Sequence, residues 1–126
     1  MPPLISDDAF EDDPRNKAAA DYFLDVDTQL RPVISRLNGF KVQPGSAFAG
    51  DDEATRTGAI SHQASALLSV AADNAHALRS VVVKAKVIPA FAGCSLTRNA
   101  IERAGVTLWL MGPPTRDTRV LHALQL

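Results

Sequence analysis

The sequence has one cysteine, Cys94, which excludes an intramolecular disulfide framework and a multi-cysteine zinc site. Aromatic residues make up only 6% of the chain, and no cluster of bases is interleaved with them, as a base-stacking surface requires. No apolar run approaches the roughly 20 residues that span a bilayer. The opening Met1-Pro2-Pro3-Leu4-Ile5-Ser6-Asp7-Asp8 lacks the basic start and apolar stretch of a secretory signal. The nucleotide cradles GxxxxGK[ST] and GxGxxG are missing, and so is the Gly-x-Ser-x-Gly elbow of serine hydrolases. These absences point to a cytoplasmic protein without a membrane partner, a metal or a cofactor.

What is present is ordinary globular material, 46% apolar and 21% charged. A chain of 126 residues suits one domain and would bury roughly two-thirds of its unfolded surface. The net charge of −1 is unevenly laid out. Residues 1–13 hold five acids and no base, leaving nine acids against thirteen bases in the remainder. The expectation is a disordered acidic tail over 1–12 and a single helical domain over 13–126. From His76 onward seven bases (Arg79, Lys84, Lys86, Arg98, Arg103, Arg116, Arg119) face two acids, Glu102 and Asp117. Nucleic-acid binding through that half is one expectation, and a solvated helix surface is the plainer one.

Periodicity sets the architecture. Asp13-Pro14 starts a helix, with Asp as N-cap and Pro at the first helical position. Its apolar stripe runs through Ala19, Tyr22 or Phe23, Val26, Leu30, Val33 and Leu37, and Asn38-Gly39 stops it. Pro32 predicts a kink or two shorter helices. Residues 40–54 read as a loop turning at Pro44-Gly45 and pinned by Phe40 and Phe48. Next come Ile60, Ala64, Leu67, Ala71, Asn74, Leu78, Val81, Ala85 and Ile88, alternating steps of four and three. This predicts a long central helix over about 55–87, ended by Pro89, with Val81-Val82-Val83 as its least helical part. Residues 89–94 predict a turn that holds Cys94, with Ser95 or Thr97 capping the next helix. That helix carries Leu96, Ala100, Ile101, Ala104, Leu108 and Met111 as its stripe, and Gly112-Pro113-Pro114 stops it. A last helix begins at Thr115 and leaves Leu121, Leu124 and Leu126 apolar to the final residue. The fold class is therefore all-α, an up-down bundle of three or four helices around one long helix.

Few residues point to chemistry. His62, Ser69 and His76 are seven apart on one helix face, but two histidines fourteen residues apart stand about 21 Å apart along the axis. A shared metal ion is excluded, and a solvent-facing polar row is the better account. Cys94 between Gly93 and Ser95 reads as a small packed residue rather than a nucleophile. Arg98 and Glu102 make an i,i+4 pair that is either a surface ion pair or part of an interhelical pocket. Arg116 and His122, with five residues between them, resemble the R-x4-6-H motif of HEPN-type helical ribonucleases. In that family the arginine and histidine act on RNA phosphodiester bonds across a dimer. The resemblance implies Arg116 and His122 as catalytic residues, with Glu102 as a helper. Arg56 and His62 repeat the spacing on another helix.

The segment 87–126 also resembles a stretch of uncharacterised helical proteins from high-GC, actinomycete-type bacteria. Arg98, Glu102, Trp109, Leu110, Pro113, Arg116 and Arg119 carry that likeness. It covers about a third of the chain and implies no activity. It does imply an N-terminal portion of a longer helical protein. The functional expectation is a non-catalytic interaction module, either self-associating or covered by further helices on Leu121, Leu124 and Leu126. The HEPN-like ribonuclease or toxin-type protein is the alternative.

Overall fold

The computed structural model describes residues 14–85 and 90–126, and it is all-α, with no strand among them. Five helices follow one another: α1 (Pro14–Asn38), α2 (Ala47–Ala54), α3 (Ile60–Arg79), α4 (Ala90–Met111) and α5 (Arg116–Leu124). A π-helical turn, Ser80–Lys84, extends α3. The tail predicted over 1–12, and the end of the central helix at 86–87, lie outside the described residues.

The most extensive packing joins α3 to α4. The pair is an antiparallel hairpin: Ile60 and Ala64 near the start of α3 share a core with Leu110 near the end of α4. At the other end Gly93 of α4 faces Leu78 of α3. Ala64, Ala71 and Ala72 are buried along α3, so small side chains let the neighbouring helix come close. The helix α1 packs on α3 and its π turn, while α2 and α5 pack on each other and on the start of α3. Ile60 and Leu110 are fully buried, Ala123 of α5 joins them, and Phe48, Leu67, Met111 and Val120 surround the cluster.

The central helix is thus confirmed in kind and corrected in extent. It starts at Ile60 rather than near residue 55, because α2 supplies its cap. The Asp52 carboxylate accepts the Ser61 N–H at 2.9 Å and the Ser61 hydroxyl at 2.6 Å. Thr55 Oγ1 accepts the Ile60 N–H at 3.3 Å and donates to the Asp51 carbonyl at 2.7 Å. At its far end the run Val81-Val82-Val83 widens into the π turn, with the Ala85 N–H donating to the Ser80 carbonyl at 3.4 Å. The wider turn accommodates a β-branched run that crowds ordinary helix, and it buries Val82.

Other boundaries differ from expectation. One helix runs through Pro32, whose ring and whose unpartnered turn face solvent, where water can satisfy the carbonyl that proline leaves unbonded. The predicted loop 40–54 contains α2. Gly45 takes φ +78 in the turn, and Ser46 then caps the helix by accepting the Ala49 N–H at 3.2 Å. α4 begins at Ala90, a full turn before Ser95, so Cys94 lies inside a helix and is exposed rather than in a turn. Its sheltered positions are Gly93, Leu96, Ala100, Ala104, Val106, Thr107, Leu110 and Met111. Thr107 takes the inward place expected of Leu108, bonding its hydroxyl to the Arg103 carbonyl at 2.8 Å, and Leu108 is exposed.

Candidate functional site

The C-terminal helix α5 carries the residues of interest, and two features position it. The Gly112-Pro113-Pro114 break ends α4, and a Cβ at Gly112 would press on the Leu108 carbonyl that the Gly112 N–H already bonds at 2.7 Å. Thr115 then starts α5 with extended backbone, its hydroxyl 2.8 Å from that of Thr118. Val120 and Ala123 turn inward as α5 folds back against α2 and the end of α4.

Arg116, in the first turn, leans its Nε to 3.5 Å from Asp51 Oδ1 and covers Gly50, where a Cβ would run into its guanidinium. The tighter partner of Asp51 is Arg119. Arg119 Nε donates to Asp51 Oδ2 at 2.6 Å, Nη2 donates to Oδ1 at 3.1 Å, and Nη1 donates to the Pro113 carbonyl at 2.9 Å. This is a two-pronged guanidinium–carboxylate pair between segments 68 residues apart, with the Asp51 side chain only 2% exposed. The hydrogen bond that Arg119 donates to Asp51, and the charge of that carboxylate, raise the Arg119 pKa against the opposing effect of burial. Arg119 stays charged at any pH at which the fold exists.

His122 is held elsewhere. Its ring stacks on Trp109 with centroids 3.8 Å apart and planes 5° from parallel. His122 Nδ1 lies 2.8 Å from the Trp109 carbonyl, which can only accept, so Nδ1 carries the proton and donates. Six residues along one helix separate Arg116 and His122 by about 9 Å of rise and about 240° of rotation. Glu102 is on the exposed side of α4, where its carboxylate accepts the Arg98 Nε–H at 2.6 Å. That bond, then the charge of Glu102, raises the Arg98 pKa. It stands about 10 Å along α4 from the Trp109 carbonyl that His122 meets. The three side chains proposed from the RNase-like spacing are thus engaged with three different partners, and the structure does not draw them into one cleft. The interhelical pocket considered for Arg98 and Glu102 is not formed, because both side chains are exposed.

The remaining candidates sort plainly. His62, Ser69 and His76 are all exposed on α3, as their seven-residue spacing predicted. Among the described residues no three potential metal ligands cluster, and no helix is long and apolar enough to cross a membrane. The basic surplus after His76 is partly internal. Arg79 and Arg119 are each sheltered against a buried aspartate, which leaves fewer cations for a phosphate-bearing partner.

Sequence reasoning missed Asp51. The one signal was Arg116 and Arg119, three apart on one face of a helix and in need of a carboxylate. Asp51-Asp52-Glu53 offers three, and nothing in that string says which one is buried. What does remain open on the surface is apolar: Leu121, Leu124 and Leu126 are exposed, Leu124 by 73%. On α4, Ile101 and Leu108 are seven residues apart and equally uncovered. A groove between α3, α4 and α5, lined by Gln63, Leu67, Arg103, Ala123 and Leu126, runs beside them. Gln63 donates to the Gly58 carbonyl at 2.7 Å, while its buried Oε1 has no partner. Compared with known family models, with curated proteins and with solved structures, the chain matches none.

Proposed function

We propose that this chain is a non-catalytic helical interaction module that associates through Leu121, Leu124 and Leu126, with a second copy of itself or with further helices of a longer protein. The observation that carries the reading is that α5 has two apolar faces. Val120 and Ala123 serve the core of this chain, and Leu121 and Leu124 are exposed, outside the core of the described residues. A helix apolar on both sides belongs inside a larger helical assembly. The outward Ile101 and Leu108 of α4 extend the same surface character. Work in the cytoplasm of a bacterium belongs to the same proposal; an exposed thiol at Cys94 suits a reducing compartment.

Size-exclusion chromatography with light scattering tests self-association. The chain is expected to run as an oligomer at high concentration, and Leu121→Lys with Leu124→Lys is expected to return it to a monomer with unchanged helical content. A wild-type chain that stays monomeric at every concentration would remove the self-association reading.

A further inference from the structure

We infer that the cleft between the end of α1, α2 and the α3–α4 hairpin is a binding site for a small amphipathic carboxylate, with a short alkyl chain or a single ring as its tail. The cleft has a volume of about 170 Å³ and is walled by Leu37, Phe40, Phe48, Ala64, Leu68 and Met111. Hydroxyls also reach it, from Ser61, Ser65 and Thr107, but each is already engaged. Ser61 donates to Asp52, Ser65 to the His62 carbonyl at 3.1 Å, and Thr107 to the Arg103 carbonyl. With no hydroxyl hydrogen left to donate, the lining is mostly apolar in chemistry, and such a space holds water poorly. An apolar cavity of roughly 150 Å³ holds benzene, which sets the size of tail that fits.

The tail alone does not define the ligand. The cleft continues into a recess of about 290 Å³ that shares Leu37, Phe40, Ser61 and Ser65 and adds Lys41, Val42 and His62. Among the described residues the side chains of Lys41 and His62 have no hydrogen-bond or ion-pair partner, so both can turn to a headgroup. No acid is among the residues lining the cleft or the recess; Asp52 accepts the N–H and the hydroxyl of Ser61 on the first turn of α3. Lys41 thus supplies the charge that lines the recess, and a carboxylate is the complementary head. Phe40 stands edge-on to Phe48, ring centroids 5.8 Å apart, and is itself 46% exposed. It forms the wall that a tail would cover.

Hexanoate, hexan-1-ol and hexylamine share one tail and differ in head, so titrating each into the chain while following methyl resonances of Leu37, Leu68 and Met111 tests both halves of the inference. Hexanoate is expected to bind best and hexylamine worst. Lys41→Gln should remove roughly a two- to fivefold preference for hexanoate over hexan-1-ol and leave hexan-1-ol unaffected, the scale expected of one exposed charge. Lys41→Glu should reverse the order of the acid and the amine. Ser65→Leu, at a half-buried position whose hydroxyl bonds only its own helix, fills the cleft and should abolish binding of all three while the helical signal stays intact. No shift at these methyls with hexanoate would overturn the site. Equal binding of the three heads, or an order untouched by the Lys41 variants, would overturn the assignment of a carboxylate.

Discussion

Two buried aspartates hold this molecule together at opposite places, and they are satisfied in different ways. Asp51 meets a fork from Arg119 on both oxygens, with distances of 2.6 and 3.1 Å, and Arg119 is in turn fixed to the Pro113 carbonyl. Asp27, on α1, is nearly as buried, with its side chain 6% exposed. Among the described residues its one side-chain hydrogen-bond partner is Arg31, a turn along its own helix, at 2.9 Å. Across the α1–α3 seam Arg79 Nε stops at 3.4 Å without a hydrogen bond, and His76 Nδ1 is 3.9 Å away. The first carboxylate is held by one cation of matched shape, the second by several cations at its edge. Arg31 and His76 are largely in water, so the cations around Asp27 are themselves hydrated. The lesson is that burial alone does not rank an ion pair; what replaces the lost water does.

The largest effect should follow from breaking the matched pair. Arg119→Met leaves Asp51 enclosed with only Arg116 at 3.5 Å, and removing one partner of such a pair costs about 3–5 kcal/mol. Urea unfolding followed by circular dichroism measures it. Adding Asp51→Leu to Arg119→Met should recover most of the loss, because the uncompensated charge goes with it. A single-variant loss below about 1 kcal/mol would show that Asp51 regains solvent readily once Arg119 is removed.

The second test is at the looser pair. Arg79→Met breaks no hydrogen bond from Nε to Asp27, and Arg31 remains on Asp27, so the expected loss is about 1 kcal/mol. The same unfolding experiment reads it. A loss equal to that of Arg119→Met would erase the distinction between the two sites.

The legible part of this fold was the part written in repeats. The steps of four and three from Ile60 to Val81 place α3, and the Gly112-Pro113-Pro114 break separates α4 from α5. What escaped was written in single polar residues. α2 is eight residues long, too short for a period to emerge, and only the Ser46 cap after Pro44-Gly45 marks its start. The start of α3 is set by Asp52 and Thr55, which belong to α2, so a helix missed in one place shifts a boundary in the next. On α4, a stripe drawn by hydrophobicity passes through Leu108, whereas the packed stripe passes through Thr107. A threonine that bonds its own helix carbonyl is apolar enough on its outer side to pack, and it leaves the leucine facing out. The site residues behaved alike. Arg116 was visible as a cation on a terminal helix, but its carboxylate lay 65 residues away in a stretch without period.

The smallest effect probes the edge of the tight pair. Gly50 is inside α2, where alanine would ordinarily be favoured by about 1 kcal/mol. Here a Cβ would displace the guanidinium of Arg116, whose side chain is 56% exposed and has open solvent to move into. The two terms oppose each other, so Gly50→Ala should change stability by less than about 0.5 kcal/mol. In an Arg116→Ala background nothing opposes the helix term, and the same substitution should stabilise by about 0.5–1 kcal/mol. A double-mutant cycle on urea unfolding isolates that coupling. If Gly50→Ala is equally stabilising with and without Arg116, the arginine does not rest on Gly50 in solution, and Asp51 answers to Arg119 alone.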